Sequence, residues 1–199
     1  MKQLNQLIKE VIPVIIGILI ALFINNWNEE RKDKKYLNQI FSSVEKELKE
    51  SIVDIKRVIP KQLATVDSIN IYLNNEELSI YDIIQRSEGV YSPSIKTNSW
   101  NAMANSKIEL IEYEKLSALA GIQERKENLN MRTEKHMDFL FQNFEETDRK
   151  KKEVLKMLIL DKVGAEKRLL SSIEEILKNE FNIDNTQTIK EQSQTDNKR

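Results

Sequence analysis

Hydrophobic positions follow three regimes along this chain. From Val11 to Ile24, fourteen consecutive residues (VIPVIIGILIALFI) carry no charge and no strongly polar group. From Tyr36 onward apolar residues recur mostly at threes and fours: Leu37, Ile40, Phe41, Val44, Leu48, Ile52, Ile55 and Ile59. That spacing is one face of an amphipathic helix. No Gly or Pro lies between Gly17 and Pro60, so the pattern predicts one helix from the apolar run to a break just before Pro60. Leu63, Val66, Ile69, Tyr72 and Leu73 then predict a second helix ending at Asn74-Asn75, followed by a short one over Ile80–Arg86. The segment SEGVYSPSIKTN (87–98), with Gly89 and Pro93, reads as irregular, and Ser99 as the cap of a brief helix carrying Trp100 and Met103.

Two longer patterns complete the domain. One begins near Glu112 and runs through Leu116, Leu119, Ile122, Leu129, His136, Leu140 and Phe144. The other covers Val154, Leu155, Leu158, Leu169, Ile173, Ile176, Leu177 and Phe181. From Asp184 the chain is polar and aperiodic, the third regime, and reads as disordered. Helices with one apolar face each must bury those faces on one another. The expected fold is therefore all-α: an N-terminal transmembrane helix continuing into an antiparallel helical bundle of three to four long helices. The expected divisions are an anchor over 1–28, a bundle over 29–182 and a tail over 183–199.

The apolar run alone spans only about 21 Å, short of a hydrocarbon core of about 30 Å. Its approach through Leu4, Leu7 and Ile8 and its exit through Trp27 extend it to about 36 Å. Lys9 then sits at one interface, where it can snorkel, and Trp27 at the other. The exit ALFINNW offers bulky residues where a signal peptidase needs small ones, so cleavage is not expected. The run is apolar on every side, unlike a helix at the edge of a soluble domain. Pro13, Gly17, Ala21 and Asn25 follow at intervals of four and form a narrow face. Small residues so spaced allow close helix–helix approach, and an asparagine can hydrogen-bond across it; they are also simply common in membrane spans. Lys2 and Lys9 precede the run and Arg31, Lys32, Lys34 and Lys35 follow it. The count leans toward a cytoplasmic bundle and leaves the side open.

The segment GILIALFINNWNEERK is similar to the anchor signature of a bacterial family of single-span membrane proteins of unknown function. TNSWNAMANSKIELIEYEKL (97–116) resembles the same family's mid-domain element, although Ser106-Lys107 stands where Ser-Gly is more usual. The resemblance implies a membrane-anchored helical domain and supplies no catalytic residues.

Composition narrows the chemistry. Basic and acidic residues nearly balance, 31 to 32, so nothing suggests nucleic acid as a partner. The chain has no cysteine and one histidine, which removes thiol chemistry and most zinc and triad geometries. No phosphate-loop, dinucleotide, zincin or nucleophile-elbow motif is present. No cofactor or metal is expected. His136, on the apolar stripe, is a ligand or switch candidate, or a satisfied residue at the edge of the core. Tyr91 and Trp100, in the irregular part, are the candidates for a partner or ligand contact, or else plug the end of the bundle. The run Arg149-Lys150-Lys151-Lys152 either meets anionic lipid or is a solvated helix face. The leading expectation is a non-enzymatic, membrane-anchored scaffold or interaction protein that self-associates or joins another membrane protein. The alternative is a ligand-sensing bundle coupled to the bilayer through its first helix.

Overall fold

The computed structural model describes residues 2–181, and their side chains from residue 11 onward. Lys9 as an interface residue and the tail over 183–199 fall outside that description. Among the described residues there is no strand, and three long helices dominate: α1 (Lys2–Ile71), α4 (Tyr113–Asn143) and α5 (Arg149–Ile176). Two short ones, α2 (Ile80–Arg86) and α3 (Asn98–Ala104), lie in the connection between α1 and α4, and α5 runs on into a π-helical turn over Leu177–Phe181. The all-helical expectation holds. Chain contacts divide the protein into two compact units, one ending at Ser42 and the other starting at Ser43.

In the first unit, every residue from Val11 to Arg31 is exposed. Between Val11 and Ile24 the large apolar side chains are 44–72 % exposed. The most apolar 18-residue window of this helix has a mean hydropathy of 1.9 and none of it is buried. By length and composition the helix can cross a membrane.

The second unit is built on three seams. The buried seam of α1 runs through Val44, Leu48, Ser51, Ile55, Val58, Gln62, Thr65 and Ile69 in alternating steps of four and three, with Val66 buried beside it. That of α5 runs through Lys152, Leu155, Ile159, Lys162, Glu166, Leu169, Ile173 and Ile176 in the same rhythm, flanked by Val163 and Ala165. The α4 seam runs through Leu119, Ile122, Leu129, His136, Leu140 and Asn143, with Lys126 and Thr133 half-buried in phase. A period of 3.5 keeps one edge of each helix facing its neighbours over many turns. Val154, expected on the apolar face of α5, is out of phase and 41 % exposed.

Cross-links set the directions. Gln62 meets Glu166 (2.8 Å), Lys56 meets Glu174 (2.6 Å) and Lys156 meets Asn70 (3.2 Å), so α1 and α5 are antiparallel. The Arg132–Asp161 pair and the short turn at 144–148 make α4 and α5 antiparallel as well. It follows that α1 and α4 run the same way, and the chain must return between them. Residues 91–97 make that return as an extended strap that runs along α1 and ends at the start of α3. Ser94 N–H donates to Asp54 (2.6 Å), Lys96 N–H to Ser51 Oγ (2.9 Å) and Ser99 N–H to Glu47 (3.1 Å).

The expected break at Pro60 does not occur, and the two helices predicted around it are one. A proline inside a helix removes the hydrogen bond to the carbonyl four residues back and crowds it. Here Pro60 and Lys56 both lie on the exposed side, where water can satisfy the Lys56 carbonyl, while Val58 and Gln62 keep the seam intact. α2 forms where expected because Ser79 and Asp82 make a reciprocal capping box. Its first free amides, on Ile80 and Tyr81, donate to the carbonyls of Glu146 and Phe144 (both 2.9 Å). That docks α2 on the α4–α5 turn, where Ile80, Ile83 and Ile84 join Val66, Ile69, Leu140, Leu155, Ile159 and Val163 in one apolar cluster. After α2 the chain turns through Glu88 (φ 61°) and Gly89 (φ 104°), left-handed conformations that glycine adopts without strain. α3 starts one residue before the expected cap, and Ser99 instead gives its hydroxyl to Glu47 (3.0 Å).

The basic run at the start of α5 is largely used within the fold. Lys152 is fully buried and donates to the carbonyls of Asn75 (2.5 Å) and Tyr72 (3.3 Å), capping the end of α1. Lys151 donates to Asn143 (2.7 Å) and Arg149 pairs with Glu153 (3.1 Å). Lys152→Met removes both hydrogen bonds of this buried ammonium and is expected to destabilise the bundle by about 1–3 kcal/mol. Lys150→Met, on the exposed side, should change stability by less than about 0.5 kcal/mol. Chemical denaturation of the two variants side by side checks both values.

Candidate functional site

The seams bring polar side chains together at one level of the bundle. Gln62 from α1, His136 from α4, and Lys162 and Glu166 from α5 are all at most 2 % exposed. Lys162 Nζ donates to the carbonyl of Tyr91 (2.7 Å), and Gln62 Nε2 lies within reach of both that carbonyl (3.0 Å) and Glu166 Oε1 (2.8 Å). The layer thus closes on a backbone atom of the strap. Lys61 covers the Tyr91 ring from outside, 4.6 Å from its centroid.

Burial controls the ionisation of this layer. Desolvation pushes the Glu166 carboxyl up, opposed by the Gln62 hydrogen bond and the Lys162 charge. It pushes the Lys162 ammonium down, opposed by Glu166. His136 falls to about 4, from burial first and from the Lys162 charge second. These are the directions expected when charged forms leave water. Gln62 Oε1, Glu166 Oε2 and both ring nitrogens of His136 find no hydrogen-bond partner among the described residues. His136 is therefore a core residue on the apolar stripe, without a protein partner to satisfy it.

The other sequence candidates lie apart from one another. Trp100 is buried in α3 together with Met103, while the Tyr91 hydroxyl donates to the Glu88 carbonyl (3.1 Å). The three surface clefts described below include neither residue. Pro13, Gly17, Ala21 and Asn25 are exposed on α1, as is Trp27 at 59 %. A Cβ placed on Gly17 would meet no atom within 4 Å, so the chain itself leaves that face open. Among the described residues no three His, Asp or Glu side chains are grouped so as to hold a metal ion.

The strap adds a surface cluster that spacing alone did not suggest. Asp54 accepts from Ser94 N–H, and that bond, with Arg57 alongside, holds its carboxyl below the usual range. Lys96 pairs with Glu50 (2.6 Å), which lowers the glutamate and raises the lysine. Three clefts follow one another along the α4–α5 groove, sharing Arg125 between the first two and Asn128 and Arg132 between the last two. Sequence reading missed Gln62, Lys162 and Glu166 because their residue types argue for the surface. The signal available was their phase, since all three continue the four-three rhythm of their apolar neighbours.

The histidine sets a pH dependence. Unfolded, the ring takes up a proton near 6.5, whereas in the bundle it does so only near 4. Between those values the unfolded chain binds more protons, so acidification costs stability, by about 3 kcal/mol at full extent. Glu166 works in the opposite sense, since a raised carboxyl favours the fold as pH falls. His136→Leu removes only the histidine contribution. Its stability relative to the parent should rise steadily from pH 6.5 to pH 4 in denaturant titrations; parallel pH profiles would contradict the assignment.

Comparison with curated proteins returns no match, and none of the solved structures matches. A family model does match residues 10–155, more than half of the chain, reaching from the apolar run through α4 into α5. The chain accordingly belongs to DUF6090, a family of unknown function.

Proposed function

We propose that this protein is a membrane-anchored helical-bundle interaction protein, non-enzymatic, that works in an oligomer or a larger membrane complex. The observation that carries the reading is the helix surface from Val11 to Ile24, apolar on every side and wholly exposed. A soluble chain seldom leaves so large a contiguous apolar surface in water, and a bilayer covers it at no cost to the bundle. Trp27 then marks one interface, and the four basic residues at 31–35 favour a cytoplasmic bundle. The open face at Gly17 and Ala21 supports self-association through the span. A second reading, a ligand-sensing bundle, draws on a single helix, α1, that runs through the apolar segment and ends at Ile71.

The absence of cysteine makes a direct test clean, because any thiol introduced is unique. The full chain should stay in the membrane pellet after alkaline carbonate extraction. In that preparation Ala21→Cys should form a disulfide-linked dimer and Leu19→Cys, on the opposite side of the helix, should not. Adding Gly17→Leu should reduce the Ala21→Cys dimer several-fold. Release by carbonate would refute the anchor, and equal crosslinking at both positions would refute the stripe.

A further inference from the structure

We propose that the middle cleft of the α4–α5 groove is an oxyanion site for a phosphate-bearing ligand, held by Arg125, Arg132 and Arg168. The proposal does not depend on where the chain sits in the cell. The cleft has a volume of about 210 Å³ and is lined by Glu124, Arg125, Asn128 and Arg132 of α4 and by Ala165 and Arg168 of α5. Three guanidinium groups from two helices therefore share one concavity with a single carboxylate.

Its geometry follows from residue size and placement. Arg125, Asn128 and Arg132 rise on one side of α4 at steps of three and four. Ala165 opposite them is small, which leaves room at the floor. The Arg168 guanidinium lies over that floor, with its Nη1 3.5 Å from where a Cβ on Gly164 would be. Arg132 is fixed in advance, since its Nε donates to Asn128 Oδ1 (2.7 Å) and its Nη1 pairs with Asp161. A planar fork held in this way presents its remaining donors in a set direction, which suits the tetrahedral oxygens of a phosphate.

What sets this cleft apart is that its cations face one another across a single concavity. Several cations elsewhere on the bundle surface have carboxylate partners: Lys49 with Glu45, Lys56 with Glu174, Arg57 with Asp54, Lys96 with Glu50 and Arg149 with Glu153. Arg125 and Arg168 have no carboxylate partner among the described residues, although Glu124 is adjacent in sequence and lines the same cleft. Two unneutralised guanidinium groups across a small cleft repel one another, and a doubly charged anion between them turns that repulsion into binding. The phosphate can come from a lipid headgroup or from a soluble compound.

The test uses the full chain in nanodiscs of uncharged lipid, with inorganic pyrophosphate titrated by calorimetry. Saturable binding is expected, weakened about tenfold by Arg125→Gln and by Arg168→Gln and unchanged by Lys150→Gln. A second set of discs containing phosphatidylglycerol identifies the source: loss of pyrophosphate binding there assigns the site to a lipid headgroup, and unaltered binding assigns it to a soluble phosphate. Absence of binding to pyrophosphate and to phosphatidylglycerol, or binding that both arginine variants retain, would overturn the proposal. Binding of an acidic peptide without any response to pyrophosphate would also overturn it, by giving the cleft to a protein partner.

Discussion

The bundle depends on one buried contact, the carbonyl of Tyr91 held between Lys162 and Gln62. Apolar seams with a 3.5-residue rhythm can slide by a heptad and still bury their side chains, so they specify that helices pack better than they specify where. A polar layer fixes the register because its groups are costly to bury without one another. Lys162, Glu166 and Gln62 are satisfied in part only when α1 and α5 are aligned at this level and the strap lies over them. The layer thus places the strap, and the strap brings the chain back so that α4 can run in the same direction as α1.

One helix, α1, carries two different side-chain patterns. Over Val11–Ile24 it has no polar side, and from Val44 onward it has a narrow buried edge and a broad charged one. α1 is unbroken from one region to the other; Pro60 lies farther on, inside the second, where its lost hydrogen bond faces water. What changes along α1 is only which side chains need to leave water. The first part is long and apolar enough to cross a membrane, and the second packs within the bundle.

Much of this was legible in the pattern. One-sided burial leaves a periodic trace, and α2, α4, α5 and the apolar run appeared where that trace put them. The misses about burial share a cause, since hydrophobic type is an imperfect proxy for it. Ser51, Gln62, Lys152, Lys162 and Glu166 occupy seam positions despite being polar, and Val154 is apolar but exposed. The role of Tyr91 was half visible: the residue was singled out for its ring, whereas the buried contact belongs to its carbonyl, which residue type does not reveal. The arginine cleft needs two helices in register before its members meet, so no local spacing could display it.

The central claim concerns the polar layer and the strap, and hydrogen exchange on the full chain tests it most directly. Gln62→Leu, Lys162→Met and Glu166→Leu together replace the layer with apolar groups of similar size. The account predicts unchanged helix content by circular dichroism and at least about tenfold faster exchange at the amides of Ser94, Lys96 and Ser99, because the strap has lost its buried anchor. Strap amides as well protected as in the parent chain, with the helices intact, would contradict it.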